Sequence, residues 1–185
     1  MKSPERPRLY LIVLPETTPA ALIDALVGGD VAAVELAGAD AGLIAAARRQ
    51  GIAVLLRDDV RAAAGADGVY LADPEADVAA ARAALGPEKI VGAFAGGSRH
   101  AAMVVGEAGV DFVAFDGDLD TVAWWAETMV VPCLARGDVT IDTIAAAVAA
   151  GADFIAVDRA VWSHPDGPRA AIAALNDAVD RAWAL

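Results

Sequence analysis

Two acidic segments of the chain carry the side chains that a divalent cation prefers. Asp58 and Asp59 follow the apolar run 53–56, and Glu75 follows the next apolar run, 69–71. Mg2+ is usually held by one or two protein carboxylates together with substrate phosphate. The sequence therefore predicts a magnesium site at Asp58 and Glu75. The alternative is that Asp58 or Asp59 caps a short helix while Glu75 is solvated.

Two later segments combine arginine, glycine and aspartate in a pattern that suits phosphate. Arg136, Gly137 and Asp138 follow one apolar run, and Asp158 and Arg159 follow the next. An arginine fork binds phosphate through two parallel hydrogen bonds, so these residues predict a phosphate site. A second interpretation pairs each arginine with a neighbouring aspartate, and phosphate would then have to compete. The sequence leaves both interpretations open.

Gly97 and Ser98 open a predicted helix, where exposed backbone N–H groups attract an anion. Arg99 or His100 would add positive charge beside them. A helix cap in a tight turn would produce the same pattern, because serine is a common capping residue. His100 is interpreted as a surface residue of the first helical turn.

Short apolar runs that alternate with alanine-rich helical segments must position these residues. The runs are predicted to be eight strands, which begin near Leu9, Ala32, Ala53, Asp67, Lys89, Asp111, Val131 and Asp153. Most of the steps between them leave room for a strand, a helix of about three turns and two short loops. The step from Ala53 to Asp67 is shorter and leaves room for about two helical turns.

A repeat of glycine followed by aspartate precedes every second predicted strand. Its four copies are Gly29-Asp30, Gly65-Ala66-Asp67, Gly109-Val110-Asp111 and Gly151-Ala152-Asp153. This repetition favours a compact (β/α)8 TIM barrel with short loops, with residues 1–185 as one domain. A doubly wound open sheet is the alternative. In such barrels the chemistry lies at the C-terminal ends of the strands, and that end contains all the candidate residues above.

Composition excludes several classes of function. The net charge of −12 would repel DNA or RNA, and no apolar run is long enough to cross a membrane. Cys133 is the only cysteine and the N-terminal residues do not resemble a signal peptide, so a cytoplasmic location is expected. Lys2 and Lys89 are the only lysines, and neither is expected at the strand C-termini. The adjacent Trp124 and Trp125 lie on a predicted helix, so one of the two rings is expected to face outward. That ring is either an anchor for a homodimer or exposed by chance.

Several segments, taken in chain order, resemble one protein family. They include Arg57-Asp58-Asp59-Val60, Gly65 to Leu71, Gly109 to Val113 and Gly151 to Ile155. Together they resemble thiamine-phosphate synthase and its thiazole-tautomerase relatives over almost the whole chain. The resemblance implies a reaction that joins hydroxymethylpyrimidine diphosphate to thiazole phosphate, two small phosphorylated heterocycles, with Mg2+ assisting. In this resemblance Asp58 corresponds to the family's first metal-binding aspartate, and Glu75 corresponds to the position of the second.

At other positions the chain departs from the family pattern. The arginine of the family's Gln-Leu-Arg segment after strand two is Ala37 here, and the asparagine before the metal-binding aspartate is Arg57. The family's histidine in strand four is Tyr70. The loop with threonine and lysine after strand six is reduced to residues 116–118, and the Gly-Gly turn after strand seven reads Arg136-Gly137.

These departures determine which residues could still act in the family's reaction and how much activity is expected. If the chain is active, the resemblance implies that Arg57 and Asp58 act in diphosphate transfer, with Arg57 contacting the diphosphate. Arg136 and Arg159 would then hold the thiazole phosphate. We expect weak or absent synthase activity, because cationic residues of the family are missing. The alternative is a catalytically degenerate barrel that binds a small ligand or a protein partner.

Overall fold

A computed structural model describes residues 5–185, and these residues form a closed barrel of eight parallel strands. The strands are β1 (Arg8–Ile12), β2 (Val31–Leu36), β3 (Ala53–Arg57), β4 (Gly68–Leu71), β5 (Ile90–Phe94), β6 (Phe112–Asp116), β7 (Cys133–Arg136) and β8 (Phe154–Val157). Each begins within two residues of its expected start. The barrel closes where β1 pairs with β8, so the open-sheet alternative is wrong.

Helices connect the strands and cover the barrel. They are α1 (Pro19–Leu26), α2 (Ala41–Arg49), α3 (Val60–Ala63), α4 (Val78–Leu85), α5 (Arg99–Glu107), α6 (Leu119–Thr128), α7 (Ile144–Ala149), α8 (Arg159–Trp162) and α9 (Pro168–Trp183). The short step between β3 and β4 holds only the four residues of α3. No helix within residues 5–185 is both long enough and apolar enough to span a membrane.

Side chains before the helices decide where most of them begin. The Thr18 hydroxyl accepts a hydrogen bond from the Ala21 amide at 3.2 Å, which satisfies an N–H group at the start of α1. The start of α7 lacks a cap of this kind. Thr140 and Thr143 instead form a turn in which the Thr143 amide donates to the Thr140 hydroxyl at 3.3 Å, and α7 begins at Ile144.

Apolar side chains fill both the interior of the barrel and the layer between barrel and helices. Tyr10, Leu55, Tyr70, Phe112 and Leu134 belong to the interior cluster. Of the tryptophan pair, Trp125 is buried in the outer layer and its indole N–H donates to the Val131 carbonyl at 2.8 Å. Trp124 is half-buried beneath the Arg99 guanidinium, 4.9 Å from the ring centroid.

The repeated aspartates join neighbouring strands at the N-terminal end of the barrel, which we call the floor. The Asp111 amide donates to the Val91 carbonyl at 2.8 Å, and the Asp111 carboxylate accepts from the Val91 amide at 2.8 Å. Asp67 with Val54 and Asp153 with Cys133 form the same reciprocal pair. The repeat therefore serves the architecture at the floor, while the opposite end, the mouth, is formed by the C-terminal residues of the strands.

Candidate functional site at the barrel mouth

A buried glutamate joins two arginines in the mouth. Glu35, near the end of β2, has a side chain that is 1% exposed. Its Oε1 accepts a hydrogen bond from Arg57 Nε at 2.6 Å, and its Oε2 accepts from Arg136 Nη1 at 2.7 Å. We call Glu35, Arg57 and Arg136 the mouth clamp. It satisfies a buried carboxylate that would otherwise be strongly unfavourable.

The clamp spans the barrel interior because its members come from different strands. Arg57 is the last residue of β3, adjacent to β2, whereas Arg136 ends β7 and reaches Glu35 across the interior. The Arg136 guanidinium also lies over the Tyr70 ring, 4.5 Å from its centroid. A cation stacked on an aromatic face and bound to a carboxylate is held in one orientation.

Burial and the neighbouring charges shift the protonation of this cluster. Burial alone would lower the pKa of Arg136, but Glu35 and the tyrosines beside it raise the pKa above its ordinary value. Burial, followed by the effect of Glu35, raises the pKa of the Tyr10 hydroxyl. This hydroxyl lies beside Glu35 but makes no hydrogen bond of normal geometry within the described residues. Burial likewise raises the pKa of Tyr70. Both tyrosines therefore stay neutral and Arg136 stays charged at physiological pH.

The residues predicted to bind magnesium lie on the loops after β3 and β4. Asp58 adopts a positive φ of 55°, and its Oδ1 accepts the Ala72 amide at 2.7 Å. Asp59 caps α3 by accepting the Ala62 amide at 2.9 Å, and Glu75 is exposed. Within residues 5–185 no group of three or more acidic, histidine or cysteine side chains is arranged to hold a metal ion. The magnesium site therefore stays a prediction.

The predicted pairing of arginines with aspartates in the last two loops is wrong. Arg136 is bound to Glu35 instead of Asp138, because its side chain turns into the barrel rather than toward its own loop. Arg159 is exposed and forms no ion pair within the described part of the chain. Asp158 accepts the Arg159 backbone amide and so caps α8. A carboxylate thus occupies the start of the short helix that the sequence associated with phosphate.

The remaining predicted anion site is a helix cap. The Ser98 hydroxyl accepts the Ala101 amide at 3.3 Å, which uses the serine oxygen in the structure of α5. Gly97 and His100 are exposed, and Arg99 is stacked on Trp124. Gly137 has a φ of 128°, a conformation that favours glycine. None of these residues contacts the mouth clamp through a hydrogen bond within the described residues.

Both arginines of the clamp could be identified from the sequence, but their pairing with Glu35 could not. The position of Glu35 after the second predicted strand does place it at the end of the barrel where chemistry is expected. A signal was present in the segment Val31–Leu36, in which Glu35 is the one charged residue of an otherwise apolar strand. A charged residue inside a strand of a closed barrel has to find an opposite charge in the interior. The order of residues along the chain does not reveal which arginine meets it.

The closed parallel barrel and its charged mouth place this chain among the TIM-barrel proteins, and sequence comparison identifies the family. The profile of the family described as thiamine monophosphate synthase matches residues 30–117. The thiamine-phosphate synthase of Hyphomonas neptunium is 38% identical, over 92% of this chain and 93% of that protein. The Rhodospirillum centenum thiamine-phosphate synthase is 40% identical, over 91% and 96%. This chain therefore belongs to the thiamine-phosphate synthase family of thiamine biosynthesis.

Solved structures agree on the fold. Thiamine phosphate pyrophosphorylase from Pyrococcus furiosus superposes with a TM-score of 0.83 at 23% identity, over 96% of this chain and 97% of that one. Orotidine 5'-phosphate decarboxylase from Pyrococcus horikoshii gives a TM-score of 0.69 at 19% identity, over 93% and 99%. At these identities the similarity concerns the barrel alone.

Proposed function

We propose that this chain is a thiamine-phosphate synthase relative with weak pyrimidine–thiazole transfer, because its mouth arginines are neutralised from within. The observation that carries the proposal is Glu35, which is buried and bound to Arg57 and Arg136 at the same time. Two arginines and one glutamate leave the mouth clamp with a single net positive charge. A diphosphate leaving group carries about three negative charges, which one net positive charge does not balance.

Weak transfer follows from how such a reaction is catalysed. The departing diphosphate must be bound more tightly in the transition state than in the ground state. Removing one preorganised donor from such a site typically costs about 10²–10³ in rate. Here Ala37 and residues 116–118 stand where the family has cationic residues, and Arg57 and Arg136 already have an anion. Activity at least about 100-fold below that of an intact relative is therefore expected.

The residues that remain fit a reduced version of the family's site. Asp58 and Glu75 are the carboxylates that would hold Mg2+, and two carboxylates plus substrate phosphate are a normal ligand set for this ion. One oxygen of Asp58 is used by the Ala72 amide, which leaves the other available. Bound Mg2+ would supply charge for the departing diphosphate. The exposed Arg159, together with Gly137, would bind the phosphate of the second substrate at the α8 end of the mouth.

The clamp also favours a second function, that of a non-catalytic family member that binds a small ligand or a protein partner. A mouth whose cations are paired internally leaves neither arginine waiting for a substrate anion, which is compatible with a role in binding rather than catalysis. For both functions a cytoplasmic location is proposed, on the single cysteine and the synthase relatives.

A rate comparison tests the proposal and separates the two functions. Purified protein and the Rhodospirillum centenum relative would be given hydroxymethylpyrimidine diphosphate, thiazole phosphate and saturating Mg2+, and thiamine phosphate would be quantified. We expect product from this chain at a rate at least 100-fold lower. No product at all would favour the binding protein. A rate equal to that of the relative would contradict the proposal and assign Arg57 and Arg136 to diphosphate binding despite Glu35.

A further inference from the structure

A cavity of about 170 Å3 lies at the floor, at the opposite end of the barrel from the mouth clamp. Several of its lining residues are the first residues of their strands, among them Ala53, Ile90, Phe112 and Phe154. Tyr10 lines it from within the barrel. The cavity therefore enters the interior from the N-terminal end, where such barrels have no chemistry of their own.

Small side chains in the lowest layer of the barrel account for the cavity. Ala33 and Ala53 contribute only methyl groups at positions where barrel interiors usually carry branched side chains. The space beside Gly92 is already taken, because a Cβ atom built there would lie 2.0 Å from the Phe112 ring. Continuous strand pairing holds the barrel open, so the wall cannot collapse to fill the remaining space.

The lining determines which chemical class could bind. The rings of Phe112 and Phe154 are 6.2 Å apart at 67°, and those of Tyr10 and Phe112 are 6.0 Å apart at 61°. A further aromatic ring can join such an edge-to-face arrangement with favourable energy. The volume is close to that of an apolar protein cavity known to hold benzene, about 150 Å3.

The charges at the rim exclude ionic ligands. Among residues 5–185, Arg8 is the one charged residue in the lining. Its Nε donates to Asp30 at 2.7 Å and its Nη2 donates to the Val31 carbonyl at 3.1 Å. An anion would have to compete with Asp30 for this arginine. A cation would lose its hydration beside the positive charge of Arg8, and no carboxylate of the described residues lines the cavity to compensate.

We propose that the floor cavity is a binding site for one small neutral aromatic molecule of about the size of benzene or phenol. The site is independent of the mouth and of the reaction proposed there. Tyr10 lies between the two sites, with its ring in the cavity lining and its hydroxyl beside Glu35, and none of the three mouth-clamp residues lines the cavity. Binding at the floor can therefore be measured without substrate and without Mg2+.

The test is a titration of the protein with benzene and with phenol, followed by the methyl NMR signals of Ala33, Ala53, Leu55 and Ile90. We expect saturable shifts in these methyl groups and none at Ile12 in the mouth. Benzoate and benzylammonium should bind at least tenfold more weakly. Absence of saturable shifts up to the solubility limit would overturn the proposal, and equal binding of the charged compounds would overturn the ligand class.

A variant that fills the cavity locates the ligand. Ala53→Leu should weaken phenol binding at least tenfold, whereas the control Ala45→Leu, on the exposed face of α2, should bind like wild type. Undiminished binding by Ala53→Leu would show that the ligand lies elsewhere and would overturn the assignment. If Ala53→Leu does not fold, Ala33→Val provides the same comparison. Titration of Ala53→Leu and Ala45→Leu with diphosphate shows separately whether the mouth of each variant is intact.

Discussion

The floor and the mouth of the barrel contain the same residue types, aspartate, glutamate and arginine, but use them differently. At the floor Asp67, Asp111 and Asp153 each accept the amide of a neighbouring strand, and Asp67 and Asp111 also pair with Arg48 and Arg82. At the mouth, Glu35 alone pairs with arginine inside the barrel. The exposed carboxylates of Asp116 and Asp138 form no side-chain hydrogen bond within the described residues.

The difference separates a role in folding from a role in binding. The aspartates at the floor recur before every second strand, and three of the four bond in both directions to the neighbouring strand, so they contribute to stability. Charges at the mouth do not repeat, and the clamp joins strands that are far apart in sequence, as the 101 residues between Glu35 and Arg136 show. The side chains of Asp116 and Asp138 make no hydrogen bond within the described residues, so they contribute charge at the mouth rather than structural bonds.

The largest expected effect on stability is at the clamp. Glu35→Ala removes the carboxylate from two arginines, and Arg136 is left charged with only 14% of its side chain exposed. Breaking a buried pair on one side is strongly destabilising, and a loss of about 3 kcal/mol in unfolding free energy is expected. Urea denaturation measures it. The control Glu75→Ala, at an exposed glutamate of the mouth, should change stability by less than about 0.5 kcal/mol, and equal effects would contradict the account.

A second prediction compares the two ends of a single strand. Asp111 precedes β6 at the floor and Asp116 ends it at the mouth. Asp111→Ala removes the acceptor of the Val91 amide and the partner of Arg82, and should destabilise the protein by about 1–3 kcal/mol. Asp116→Ala should leave stability unchanged within about 0.5 kcal/mol. Thermal unfolding of both variants compares the floor end of β6 with its mouth end. A larger loss of stability in Asp116→Ala than in Asp111→Ala would contradict the account.

The smallest effect concerns pH at the start of α6. The Asp118 carboxylate accepts the hydroxyl and amide of Thr121, and these bonds, the hydroxyl first, hold the pKa of Asp118 below its ordinary value. Its stabilising contribution is therefore complete above the unfolded-state pKa and is lost as the pH falls through the lowered folded-state pKa. Thr121→Val should raise the Asp118 pKa in an NMR titration. The control Thr128→Val should not, and an unchanged pKa in Thr121→Val would contradict the assignment.

The fold could be predicted almost completely from local patterns. Strand starts follow from the spacing of apolar runs, and the Gly-Asp repeat marks every second strand, because both patterns depend on neighbours in sequence. The start of α7 is less regular, since Thr140 and Thr143 bond to each other in a turn before the helix begins at Ile144.

The site was less predictable, because it depends on contacts across the barrel. Arg57 and Arg136 were identified as site residues from their positions at strand ends. Their common partner, Glu35, depends on which side chains meet in the closed interior, and spacing along the chain does not encode that. Asp58 and Glu75 stay predicted magnesium ligands, since neither has a position that only a metal would explain.

Calorimetric titration with diphosphate tests most directly the claim that Glu35 neutralises the arginines of the mouth. Glu35→Gln keeps the shape of the side chain and removes its charge, and Asp138→Asn removes a charge from the same end of the barrel without touching Arg57 or Arg136. The account predicts weak binding to wild type, at least tenfold tighter binding to Glu35→Gln and a smaller change in Asp138→Asn. Equal affinity of wild type and Glu35→Gln would contradict it.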